Sequence, residues 1–261
     1  MRMHLHRPHW HWLIGMLLCL YAGAGFCATI IDHWPVIAEA FYKDRPVPAA
    51  DGRIVISAPA QAEDSALVPI SIQFAEAHGI AKWSLFVDAN PIMLTLTTHM
   101  PDTTRAFTLS TRIRLDANSQ VRVIAEKPDG TLSMTSVAIK TPGGGCGGAV
   151  SQDEAALRAS AGNIKLRQVE EGKATVLQIQ HPMRTGFERT VYGYYAKAWY
   201  LQKIEWLEAA NKVMALQLGP GISANPYFKI DYPFELATLA IQASDNENQQ
   251  FSYPKQAVST R

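Results

Sequence analysis

The sequence predicts an all-β protein of two β-sandwich domains joined by a glycine-rich cysteine arm and a short linker. Three observations carry that expectation. Apolar and polar residues alternate with a period of two over most of the chain. Turn residues such as Lys127-Pro128-Asp129-Gly130 punctuate the alternating runs, with no long helical pattern between them. A lone cysteine, Cys146, sits within Gly143-Gly144-Gly145-Cys146-Gly147-Gly148 and splits the runs into two groups.

The chain opens on a segment expected to be removed. Arg2 and Arg7 precede an apolar stretch from Trp12 to Gly25 that ends in Ala22-Gly23-Ala24-Gly25, the layout of a secretory signal peptide over residues 1–28. The stretch falls short of the ~20 apolar residues of a spanning helix, so export to the periplasm and cleavage are the expectation. The histidines at 4, 6, 9 and 11 would leave with it. Next, Asp32 to Tyr42 reads as a short leading helix, with Asp32 as N-cap and Pro35 in the first turn.

From Arg53 the period changes to two. Val68, Ile70, Ile72 and Phe74 alternate with Pro69, Ser71 and Gln73, Trp83, Leu85 and Val87 follow the same rule, and Ile113 and Leu115 alternate with Arg112 and Arg114. Val121–Glu126 and Thr131–Lys140 flank the clearest turn, and short strands at this spacing describe a sandwich of about 100 residues. Beyond the glycines, Ser151–Ser160 is alanine-rich and suits a linker or marginal helix. Strand patterning resumes at Ile164–Val169, Ala174–Gln180, Trp199–Leu207, Val213–Gln217, Tyr227–Tyr232 and Leu236–Ala243, a second small sandwich.

The arm carries the chemistry. Glycine has no side chain to bury and loses the most conformational freedom on ordering, so five glycines around one thiol predict a mobile, exposed loop. Cys19 lies inside the signal and Cys27 at its edge, which leaves Cys146 alone or nearly so and excludes an internal disulfide. An exposed thiol in an oxidising compartment pairs or oxidises unless it is used. With no charged neighbour in sequence its pKa is expected near the ordinary ~8.5.

Composition removes other classes. Losing Arg2 and Arg7 leaves 22 basic against 23 acidic residues, a net charge of −1, and no basic stripe suited to nucleic acid. No Lys-Ser or Lys-Thr follows the glycines, which excludes a phosphate-binding P-loop. Cys146 has no second Cys or His at metal-ligand spacing. As a catalytic thiol it would need a base, and His33, His78, His99 and His181 are all distant in sequence. Tyr192, Tyr194, Tyr195, Trp199, Tyr200 and Trp206 form either a docking surface or, more commonly, core and rim of a small β domain.

The residues then resemble a known family. Gly144-Gly145-Cys146-Gly147-Gly148 matches the carrier arm of the Y subunit of the periplasmic sulfur-oxidation (Sox) carrier, and His181-Pro182-Met183, Thr185-Gly186 and Asn225-Pro226-Tyr227 resemble segments of its Z subunit. The chain is similar to the fused SoxYZ-like carriers associated with quinoprotein dehydrogenases. That resemblance implies two immunoglobulin-like β-sandwich domains: a Y-type domain over 29–142, the arm and linker over 143–160, and a Z-type domain over 161–261. It implies a non-catalytic carrier with no cofactor of its own, holding a sulfur-containing intermediate on Cys146 within the arm of Gly143, Gly144, Gly145, Gly147 and Gly148. Its expected partners are cytochrome c or quinoprotein dehydrogenase systems, with the two halves packed on each other. The alternative is an adaptor or redox-sensing module that carries nothing. One departure stands: in the two-subunit carrier the motif ends the Y chain, whereas here the arm is tethered at both ends.

Overall fold

The computed structural model describes residues 29–254 apart from 44, 51, 76–78, 100–105, 151–152 and 233, so the expected signal peptide lies outside the described residues. Fourteen strands form two sheets, and each sheet runs through both halves of the chain. In the first half the strands are β1 (Ile54–Ser57), β2 (Val68–Phe74), β3 (Lys82–Val87), β4 (Leu94–His99), β5 (Phe107–Ile113), β6 (Ser119–Glu126) and β7 (Leu132–Ile139). In the second half they are β8 (Ile164–Val169), β9 (Ala174–Ile179), β10 (Leu201–Glu208), β11 (Asn211–Leu218), β12 (Tyr227–Ile230), β13 (Leu239–Asp245) and β14 (Gln250–Tyr253).

The strand order is β1-β2-β5-β12-β9-β8 in one sheet and β14-β13-β10-β11-β4-β3-β6-β7 in the other. Each half therefore contributes three strands to one sheet and four to the other, the seven-strand plan of an immunoglobulin-like sandwich. The halves are joined edge to edge. β5 pairs antiparallel with β12 through Ser110 and Lys229, and β4 with β11 from Leu96 opposite Leu218 to His99 opposite Ala215. Pairing these edges removes four open strands that would otherwise template aggregation.

One apolar core follows from the shared sheets. Val68, Ile70, Ile72 and Phe74 point inward from β2, as their alternation predicts, and share a cluster with Trp206, Leu216, Phe228 and Ile230 of the second half. Gly219-Pro220-Gly221, expected as a plain turn, belongs to this seam. A Cβ on Gly219 would stand 2.3 Å from the Leu94 carbonyl oxygen, and the Gly219 N–H donates to Thr95 O at 2.9 Å. The sequence signal for close backbone approach and for a turn is the same glycine.

The strand expectations differ from the structure mainly at their ends. β1, β4 and β14 are additional strands, and β13 starts three residues later than the pattern suggests. The leading helix is a single turn, α1 (Trp34–Ile37), followed by a π-helical turn over Ala38–Tyr42. His33 occupies the N-cap position, while Asp32 Oδ1 accepts from the Trp34 N–H at 3.0 Å. This segment covers the outer face of β3 and β6, where Phe86, Ile124 and Leu132 pack with Ile37 and Tyr42. Phe86, read as an outward position, is buried for that reason. Arg122 fastens the segment by reaching both the fully buried Asp88 (3.0 Å) and Asp32.

The linker contains α2 (Glu154–Ser160), capped by Asp153, whose Oδ1 accepts from the Ala156 N–H at 2.8 Å. It is not a free spacer. Arg158 pairs with Glu247 at 2.8 Å, Arg184 with Glu154 at 2.6 Å, and the Arg158 guanidinium lies 4.3 Å from the centre of the Trp199 ring, all fixing the helix to the second half.

Candidate functional site at the seam

The glycine run leaves β7 and enters a cleft at one end of the seam. Cys146 is 4% exposed there, against the expectation of a solvent-exposed thiol on a mobile arm. The glycines explain the difference. Gly143 (φ 90°), Gly144 (φ 75°) and Gly148 (φ 104°) take left-handed backbone that side chains disfavour. Gly145 is needed for space, since a Cβ on it would lie 2.1 Å from the Ser65 carbonyl oxygen and 2.6 Å from that of Leu115. These four serve one docked conformation. Gly147 is the exception, with only the Gly144 carbonyl oxygen near its would-be Cβ, at 3.9 Å.

Two walls hold the arm. On the first-half side the Gly144 N–H donates to Asp116 O (2.8 Å), the Gly145 N–H to Leu115 O (3.0 Å) and the Ser65 hydroxyl to Gly143 O (2.7 Å). Asn90 steadies that wall: its amide donates to Arg114 O at 2.9 Å and accepts from the Asp116 N–H at 3.0 Å. On the second-half side the Thr185 hydroxyl lies 2.6 Å from the Cys146 carbonyl oxygen. Further along, the Arg189 N–H donates to Gly148 O (2.7 Å) and the Val150 N–H to Arg189 O (3.0 Å), so the arm exits as a short bridge against Arg189.

Arg114 and Glu188 are the charged groups buried beside the thiol peptide, each 7% exposed. Arg114 donates to the carbonyls of Gly145 (3.0 Å), Met183 (3.3 Å) and Pro182 (3.4 Å), which ties the arm to the second half. Its Nε has no hydrogen-bond partner, and burial lowers the guanidinium pKa. Glu188 gathers the Thr185 N–H (2.9 Å) and Gly186 N–H (3.0 Å) into a tight turn. Arg114 was expected as an outward polar position on a strand; it sits one residue past β5, where the chain bends into the cleft.

This environment silences the sulfur. Burial, aided by the negative charge of Asp116, pushes the Cys146 thiol up to about 12, and the opposing pull of Arg114 does not offset it. The thiolate is the nucleophile, so the docked cysteine is unreactive at neutral pH. Chemistry at Cys146 requires the arm to leave the cleft.

His181 has a structural role. It is 1% exposed, edge-on to Trp199 with ring centres 4.9 Å apart, and its Nδ1 accepts from the Met183 N–H at 3.2 Å. Trp199 in turn donates to Asp245 at 2.8 Å. Burial lowers the His181 pKa to about 4, below the ~6.5 of an unfolded chain. The unfolded state then takes up the proton first as pH falls. Stability is therefore full above pH ~6.5 and declines towards pH ~4, by about 3 kcal/mol at most. Urea midpoints across that range should fall in the native chain, and His181→Gln should flatten the slope.

The aromatic group divides in two. Trp199 and Trp206 are core residues, whereas Tyr192 (83% exposed), Tyr194 and Tyr195 stand in solvent on a hairpin around Gly193. The Thr190 N–H donates to Tyr194 O at 2.8 Å, and the Arg189 guanidinium stacks over Tyr195 at 3.6 Å. The hairpin thus begins at Arg189, the residue whose backbone bridges to the arm.

With this geometry in place, two family models divide the chain at the arm, between its two sets of seven strands. The family model described as sulfur oxidation protein SoxY matches residues 38–146, ending on Cys146, and that of sulphur oxidation protein SoxZ matches residues 164–256. Among solved structures, the sulfur carrier protein SoxY of Chlorobium limicola f thiosulfatophilum aligns over 41% of this chain and 94% of its own, at 21% identity and a TM-score of 0.34. Dimeric latent PorU of Porphyromonas gingivalis aligns over 82% of this chain and 20% of its own, at 10% identity and a TM-score of 0.30. The ectodomain of mouse nectin-like molecule 4 aligns over 78% and 62%, at 14% identity and a TM-score of 0.26. A search of curated proteins finds no match. The two family matches in tandem make this chain a fused SoxYZ-like protein.

Proposed function

We propose that the protein is an exported, periplasmic carrier that holds a sulfur-containing intermediate on Cys146 and presents it to partner oxidoreductases. The observation that carries this reading is the position of Cys146: the sole cysteine among the described residues stands at the end of the SoxY match, on a glycine segment held by backbone contacts at the mouth of the seam. Among the described residues, no histidine hydrogen-bonds to it as a catalytic base would. His181, the one histidine of the second half, has its Nδ1 occupied by the Met183 N–H and its ring against Trp199. A carrier needs none, because the partner supplies the chemistry.

In this reading the cycle alternates between two states. Docked, the thiol is protonated and protected from oxidation; undocked, it returns to an ordinary pKa near 8.5 and a few per cent is thiolate at neutral pH. The fusion shortens the reach of the arm, since Gly148 and Val150 are paired with Arg189 on the far side. Partners therefore meet Cys146 close to the seam. The resemblance to carriers associated with quinoprotein dehydrogenases directs the search for those partners to such dehydrogenases and their cytochromes.

Incubation with periplasmic extract of the host and radiolabelled thiosulfate or sulfide tests the assignment. Label should remain on the native chain after denaturation without reductant, leave on reduction, and be absent from Cys146→Ser. Label absent from both chains while the protein still binds a dehydrogenase would favour the adaptor reading.

A further inference from the structure

Arg114 and the Thr185–Glu188 turn lie in different halves of the chain, yet they converge on one peptide. Arg114 follows β5 in the first half, and its guanidinium bridges Gly145 O to the Pro182 and Met183 carbonyls of the second half. The Thr185 hydroxyl lies 2.6 Å from Cys146 O and 2.9 Å from Glu188 Oε2, so its one proton is placed between the arm and the carboxylate, with the shorter distance to the arm. Glu188 fixes that hydroxyl by holding the turn on which it sits. All three side chains are at least nine-tenths buried. Among the described residues no carboxylate lies in ion-pair range of Arg114; a buried arginine so placed is costly to keep, and its unpartnered Nε adds to that cost.

We propose that Arg114, Thr185 and Glu188 form a latch that closes the second half over the Gly145–Cys146 peptide and so sets how often Cys146 is exposed. They are positioning residues, acting on the arm's backbone through the Gly145 and Cys146 carbonyls. The tandem order of the halves gives the latch its leverage. The downstream end of the arm is anchored at Arg189, four residues after Thr185, so release at Thr185 frees the thiol peptide while the Arg189 bridge keeps it at the cleft.

The experiment measures access to the thiol and stands whether or not Cys146 carries cargo. The full mature chain is alkylated with N-ethylmaleimide at pH 7.5, with the same chain unfolded in urea as the reference for a free thiol. The native rate should be at least about a hundredfold below the reference, because opening breaks several buried hydrogen bonds of about 1 kcal/mol each. Thr185→Val should raise it about fivefold, the loss of one such bond in the closed state. Thr185→Ser, which keeps the hydroxyl, should restore the native rate. Low urea separates local from global opening, since only the latter steepens with denaturant. Equal rates for Thr185→Val and the native chain, or equal rates for the Ser and Val variants, would overturn the latch. If Thr185→Val does not fold, Glu188→Gln must accelerate alkylation at unchanged urea midpoint, and no acceleration would count equally against it.

Discussion

Gly145→Ala should expel the arm from its cleft and make Cys146 react almost as fast as in the unfolded chain, a rise on the order of a hundredfold over the native protein. The reason is steric. The added methyl would sit 2.1 Å from the Ser65 carbonyl oxygen and 2.6 Å from that of Leu115, and both are backbone atoms that cannot swing aside. Losing the docked state forfeits the Gly144 and Gly145 bonds to Asp116 and Leu115 and the Thr185 contact to Cys146. Gly147→Ala is the internal control, because its methyl would meet only the Gly144 carbonyl oxygen at 3.9 Å and its rate should stay native. The pH profile distinguishes docked from released forms as well. Native alkylation should proceed through the open arm and follow a pKa near 8.5, since the docked thiol, pushed up to about 12, contributes little below that. The raised pKa also means that docking is weakened as pH rises from ~9 towards 12. Equal rates for both alanine variants would show that the glycines serve motion alone.

Cutting the chain between Val150 and Asp153 should leave two fragments that stay together at micromolar concentration. Each fragment alone would expose two strand edges, β4 and β5 in one and β11 and β12 in the other, together with core residues such as Leu216, Phe228 and Ile230. Apolar burial at roughly 25 cal/mol per Å² and the paired ladders both oppose separation. α2 should remain with the second fragment, to which Arg158 and Arg184 bind it. Co-elution on size exclusion is the expected result, and two separately eluting, folded halves would contradict a shared core.

Much of this architecture was legible from pattern. The alternation of Val68, Ile70, Ile72 and Phe74 depends only on which face is buried, and a one-residue error would have exposed all four. Strand pairing between the halves was not legible, because Leu216 or Leu96 reads as an inward residue whichever sandwich it closes. The same limit applies at the site. Gly143 to Gly148 singled out this segment, yet glycine satisfies mobility, left-handed backbone and close approach alike, and only the surroundings of Gly145 decide among them. Arg114 looked solvated because Arg112, two residues earlier, has the same alternating context. Thr185-Gly186 was part of the family resemblance, but its contact with Cys146 spans 39 residues and leaves no local periodicity.

The most direct test of the carrier assignment is the intact mass of the protein isolated from its native host under conditions that preserve disulfides and persulfides. A carrier should arrive as a mixture of the bare mature chain and forms heavier by one or more sulfur atoms or an oxidised sulfur group. The added mass should map to Cys146 and disappear with reductant. A single unmodified mass in cells actively oxidising sulfur compounds, with Cys146 free, would contradict the assignment.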